Sequence, residues 1–204
     1  MGLDLLVESR AKPGHETEWR EIMMRHFGGH DSEEDKARFA EIGIPPWITL
    51  EAPRVGFDKA ADDWILKNSG AETPEEAEEI IEKARGFYVV RAVECDGVPL
   101  YCNGPAYGEY WESFRGSFLQ ACPDVLDETT LARAWHHMMP EQALDYGDTL
   151  LAAADAAESA GPSHSPGPDG VQPEPFAEQL AIVRSAGRWY RFWGERAHAI
   201  FAWY

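Results

Sequence analysis

Basic side chains are scarce in this chain. Its 204 residues carry 18 Lys and Arg against 36 Asp and Glu, a formal net charge of -18. Nucleic-acid phosphates and anionic lipid heads are gripped through Lys and Arg, so a surface this acidic repels both. No nucleic acid and no membrane is therefore expected as a partner, and cationic or neutral partners are favoured. Long apolar runs are missing too. No stretch approaches the ~18 uninterrupted apolar residues of a spanning helix. The opening "MGLDLLVESRAKPGHE" has no basic start, and Asp4 and Glu8 break its apolar run, so it does not read as a signal peptide. Leu6 departs from the myristoylation pattern.

Cysteine is equally sparse. Cys95, Cys102 and Cys122 form an odd set without metal-type spacing. Cys95 and Cys102 flank an Asp96-Gly97 turn, in a register that sets their sulfurs roughly 13 Å apart along the ribbon, too far for a disulfide. Free thiols in a reducing cytoplasm are the expectation. The common catalytic signatures are absent: no Walker loop, no dinucleotide-binding glycine pattern, no nucleophile elbow and no His-Glu-x-x-His. An enzyme assembled from scattered residues stays open. No metal and no cofactor is expected.

What is present is the material of a folded, helix-rich protein. Hydrophobic residues make up 44% and charged ones 26%, ordinary for a globular chain. Eight tryptophans imply large buried or interfacial area. "GLDLLVES" alternates Leu3, Leu5 and Val7 with Asp4 and Glu8, a half-buried strand. Residues 14–29 place Trp19, Ile22, Met23, His26 and Phe27 on one helical face, ended by Gly28-Gly29. Ser32 with Asp35 opens a short helix that stops at Gly43. The proline-punctuated stretch 44–58 reads as irregular, with an edge strand at Ile48 to Leu50, and a weak helix follows at 60–67. Thr73, Pro74 and Glu76 start the clearest helix, with Ala77, Ile80, Ile81 and Ala84 as its apolar face.

"FYVVRAVECDGVPLYC" reads as a hairpin about Asp96-Gly97, joining the first strand in a small sheet. From Ser113 onward the chain reads as helical: to Cys122, from about 127 to 139, and from 140 to 160. Leu144, Gly147, Leu150, Leu151, Ala154 and Ala157 give the last of these a small-residue face. The expected organisation is an α+β core over 1–160, a flexible Pro/Gly linker over 161–175, and an aromatic helical segment over 176–204.

That final segment raises the functional question. Arg184 to Tyr204 holds seven aromatics and four arginines. Read as one helix at about 100° per residue, it gathers Arg184, Arg188, Arg191, Glu195 and His198 into a narrow polar stripe, and a helix so apolar elsewhere belongs inside a protein or at an interface. Burying seven large rings contributes about 10–20 kcal/mol as an upper bound, rivalling the ~5–15 kcal/mol net stability of a domain. The segment is expected to dock on its own core or on a second subunit. Gly187 and Gly194 suit close approach to another helix, or else mark breaks.

The arginine stripe has two readings. Residues 1–174 carry 14 basic and 34 acidic side chains, enough to pair it internally; or Arg184, Arg188 and Arg191, with His198, bind a small anionic ligand. His26 reads as a satisfied, partly buried histidine, while His136 and His137 diverge by ~100° if helical. A second candidate is the loop "YCNGPAYGEYW", in which Tyr101, Cys102, Tyr107, Tyr110 and Trp111 would line a pocket. The leading expectation is a non-catalytic cytoplasmic protein binding a partner or small ligand, with a homodimer among the expected assemblies. The alternative is a small hydrolase or metal-dependent enzyme built around residues 101–111.

Overall fold

A computed structural model describes residues 2–50, 53–86, 113–163, 166–167 and 171–204. In chain order its elements are β1 (Asp4–Val7), β2 (Arg10–Ala11), α1 (Glu16–Phe27), α2 (Glu33–Ile42), β3 (Gly43–Ile44), α3 (Pro46–Leu50), α4 (Lys59–Ser69) and α5 (Pro74–Lys83). Then follow β4 (Ser113–Arg115), a 3-10 helix (Gly116–Ala121), α6 (Glu128–Arg133), α7 (Pro140–Ala160), α8 (Phe176–Glu195) and β5 (Ile200–Trp203). This is a helix-dominated α+β architecture with a small antiparallel sheet. The chain forms two compact units, Met1–Pro46 with Arg115–Tyr204, and Trp47–Phe114. No helix among the described residues is long and apolar enough to cross a membrane.

In the larger unit the first and last strands pair. β1 runs antiparallel to β5, with Asp4 opposite Trp203, Leu5 opposite Ala202, Leu6 opposite Phe201 and Val7 opposite Ile200. β4, which carries the chain into this unit at Arg115, gives the sheet order β4-β1-β5. Alternation decides the faces: Leu3, Leu5, Val7, Ile200 and Ala202 are buried, and Leu6 and Trp203 are exposed. The expected partner of β1, the Asp96-Gly97 hairpin, lies outside the described residues.

α7 and α8 form the body of the unit. A Cβ added at Gly147 would stand 2.8 Å from the Gly187 carbonyl oxygen, and one at Gly187 would stand 2.8 Å from Leu151 Cγ. One at Gly194 would meet Pro140 O at 2.9 Å. The glycines are therefore contact points within an unbroken helix. Around this seam Trp189, Tyr190, Trp193, Val183, Tyr146 and Leu150 are buried. Trp19, Ile22, Met23, Ile42, Met139 and Ala199 form a second apolar cluster of the same unit.

The capping signals behave as read. Ser32 accepts from Asp35 N–H and Thr73 from Glu76 N–H, each in a full capping box. α1 closes in a Schellman motif, with Gly29 N–H on His26 O, His30 N–H on Arg25 O and Gly29 at φ +68. α8 closes the same way, Ala197 N–H on Gly194 O and His198 N–H on Trp193 O, but the left-handed position is held by an alanine at φ +60.

Four expectations are corrected. Residues 46–50 form α3 instead of an edge strand, because Pro46 occupies the first helical turn, where its fixed φ and missing N–H cost nothing. The stretch from Ser113 is β4 and a 3-10 helix rather than an α-helix; Ser117 N–H bonds Leu3 O and Gly116 packs on Leu3, tying it to β1. α6 ends at Arg133, so His136 and His137 are not helical. The tail is helical only to Glu195; the Ala197 turn reverses the chain into β5. Of its seven rings, Trp189, Tyr190, Phe192 and Trp193 are buried, Phe201 is half-buried, and Trp203 and Tyr204 are exposed.

In the smaller unit Val55, Ala61, Ile65 and Ala84 form the core, with Ile80 and Ile81 of α5 packed against it. Arg54 Nε donates to Gly86 O at 2.7 Å and its guanidinium lies 4.9 Å from the Phe57 ring centre.

Two stability outcomes follow. Gly147→Ala and Gly187→Ala each force the helices apart and lower stability by about 1–3 kcal/mol despite alanine's better helix propensity; denaturant unfolding measures it, and a neutral result contradicts the close approach. Ala197→Gly releases the left-handed strain and raises stability by about 1 kcal/mol, read as an increased melting temperature.

Candidate functional site

The alternation of β1 continues past its last residue. Glu8 shares the outward face with Asp4 and Leu6, and its backbone is locked on both sides: Glu8 N–H donates to Ala199 O at 2.9 Å, and His198 Nδ1–H donates to Glu8 O at 2.7 Å. Its carboxylate is thereby aimed at α1, where His26 Nε2 stands 3.8 Å away. The other nitrogen of that ring, Nδ1, bonds Asp31 Oδ2 at 3.2 Å. His26 is thus a half-buried imidazole between two carboxylates.

Aromatic rings gather beside it. Phe201 lies 4.9 Å from the His26 ring and 4.3 Å from that of His137, stacked on the latter. Phe27 also stacks on His137, at 4.8 Å, and lies 6.3 Å from Phe201. Ala202 N–H donates to His137 Nδ1 at 3.1 Å, so the neutral ring carries its proton on Nε2. Leu6 and Trp203, 37% and 61% exposed, extend the apolar surface along the sheet, and Arg115 Nε lies 3.7 Å from Asp4 at its edge.

The three nearby histidines are driven in different directions. Glu8, and secondarily Asp31, raise the His26 pKa above its usual 6.5 by hydrogen bonding to the charged ring. Burial lowers that of His137, and the neighbouring His26 charge lowers it further. Burial brings His198 down to about 4, although its bond to Glu8 O opposes this. The face therefore holds one imidazole between carboxylates, its pKa raised, and one among phenyl rings, its pKa lowered. Among the described residues no group of three or more His, Cys, Asp and Glu side chains is arranged to hold a metal ion.

The residues singled out from sequence are distributed otherwise. Arg184 pairs with Asp155 at 2.9 Å and Glu158 at 2.7 Å, both on α7. Arg191 lies 3.3 Å from Asp148 and 3.0 Å from Glu195. Arg188 is exposed on α8. His198 is separated from this stripe: the Ala197 turn carries it inward, where its ring meets Trp193 edge-on at 5.0 Å. Tyr101, Cys102, Tyr107, Tyr110 and Trp111 lie outside the described residues. Sequence reasoning missed Glu8, His137 and Phe201 as neighbours. The period-two pattern reaching Glu8 was a usable signal, whereas "AIFAW" was masked by the helix before it.

The chain matches no protein-family model, no curated protein and no solved structure.

The buried His198 makes the fold acid-sensitive. Its folded pKa lies below the ordinary value, so the unfolded chain takes up the extra proton first. Its contribution is complete above pH 6.5 and is lost as pH falls toward 4, by at most about 3 kcal/mol. Asparagine preserves a donor for Glu8 O without titrating, so His198→Asn is expected to flatten this acid limb in unfolding measured from pH 7 to 4.5. An unchanged limb assigns the acid sensitivity elsewhere. His26 acts in the opposite sense, stabilising below pH 6.5 and losing its contribution as pH rises through its raised pKa.

Proposed function

We propose that this protein is a non-catalytic binding protein whose working surface is the open side of the β1–β5 sheet, and that its partner is a basic protein segment with apolar side chains. The observation that carries this reading is the exposure of Leu6 and Trp203 on one side of the sheet, beside the half-buried Phe201 and bordered by Glu8, Asp31 and His26. Exposed apolar groups rimmed by charge are characteristic of interaction sites. The net charge of -18 adds long-range attraction for a basic partner. A homodimer through the same face is less favoured, since a two-fold contact would press Glu8 and Asp31 toward their own copies.

The arginines of α8 fit a structural role in this reading, holding α7 through Asp148, Asp155 and Glu158. The hydrolase alternative rests on residues 101–111, which lie outside the described residues.

A peptide of alternating Lys and Leu, compared with its Glu-Leu counterpart by fluorescence anisotropy, tests the proposal. The basic peptide is expected to bind saturably, and Leu6→Asp combined with Trp203→Ser to weaken it at least about ten-fold with an unchanged melting temperature. Equal binding by the variant would mean bulk charge attraction and would end this reading.

A further inference from the structure

Away from the sheet face, the larger unit contains a cavity of about 880 Å³ between the 3-10 helix, the turn after it and α6. Its walls are Leu119, Leu126, Leu131 and Trp135, and its rim carries Asp127 and Glu128. No Lys, Arg or His is found among its described lining residues. The volume falls within the ~300–1,000 Å³ range of small-molecule sites.

The cavity is held open by specific bonds. Asp127 Oδ1 accepts Thr130 N–H at 2.6 Å, capping α6 and fixing its first turn on the rim. Pro166 and Gly167 also line it, and described residues on either side of them are anchored: Ser163 Oγ donates to Asp124 Oδ1 at 2.7 Å, and Glu174 N–H donates to Ala121 O at 2.9 Å. Gln179 of α8 secures both anchors, accepting from Asp124 N–H and donating to Glu174 O. Cys122 lines the site as a neutral thiol, its pKa pushed up to about 12 by burial. All fixed charge on the described lining is therefore negative, carried by the exposed Asp127 and Glu128.

We propose that this cavity binds an apolar molecule bearing a single positive charge, an alkyl or aryl ammonium, with its hydrocarbon part among Leu119, Leu126 and Leu131 and its cation at Asp127, Glu128 and the Trp135 ring. Ammonium groups are recognised by an aromatic ring together with carboxylates, and both components stand here beside an apolar chamber. The site shares no lining residue with the sheet face, although its Trp135 ring meets that of Tyr204, just after β5, edge-on at 5.3 Å.

Calorimetric titration of the full chain with decyltrimethylammonium below its micellar concentration, against decanoate of matching chain length, is the decisive experiment. One saturable site at least about ten-fold tighter for the cation is expected. Asp127→Asn with Glu128→Gln keeps the helix cap and is expected to remove that preference. Leu131→Trp fills the chamber and is expected to abolish binding of both probes; if its melting temperature falls, Ala132→Phe on the same wall replaces it. Leu6→Asp leaves cation binding unchanged, which separates this site from the sheet face. Unsaturable binding, equal affinity for decanoate, or unaltered binding in the filled-chamber variant each overturns the proposal.

Discussion

Two helices approach as closely as α7 and α8 only where side chains are withdrawn from their crossing. Gly147 and Gly187 do this at the centre, and Gly194 does it where α8 passes the start of α7. Each glycine sacrifices about 1 kcal/mol of helix propensity. The return is a seam tight enough to enclose Trp189, Tyr190 and Trp193 completely. Everything that distinguishes the molecule hangs from this seam. α8 delivers the chain to the Ala197 turn, the turn delivers β5 to β1, and β5 supplies Phe201 and Trp203 to the outer face.

The seam also explains the arrangement of charge. Arg184 and Arg191 lie along its rim and face Asp155, Glu158 and Asp148 of α7. These pairs are solvent-exposed and individually add little. Their main effect is to choose which side of α8 lies against α7. With those cations engaged, the acidic excess is displayed elsewhere, including Glu8 and Asp31 at the sheet face and Asp127 and Glu128 lining the cavity.

Much of this architecture could be read from local signals. The capping boxes at Ser32 and Thr73, the span of α7 from Pro140 to Ala160 and the alternation of β1 depend on residues within one turn or one pleat of each other, where stereochemistry decides. Legibility ended where a distant partner decided. "AIFAW" continues the apolar pattern of α8 and becomes a strand because β1 offers it a ladder. The residues after Ser113 lose their helical preference to Leu3, whose carbonyl takes the Ser117 N–H. The site was least legible of all. Glu8, His26, His137 and Phe201 come from four separate segments, and only closure of the sheet makes them neighbours. The arginine stripe was found correctly up to Glu195 but overrun at His198, since no glycine marks the left-handed turn at Ala197.

The bond from His198 to Glu8 joins positions 190 residues apart. Contacts of such separation close a long loop and are therefore slow to form. During synthesis β1 is made well before β5, and the edge of β1 that β5 covers stays unpaired until that strand follows. That interval is when the molecule is most open to mispairing with another strand. The charged Asp4 and Glu8, interleaved with those apolar residues, act as gatekeepers throughout it.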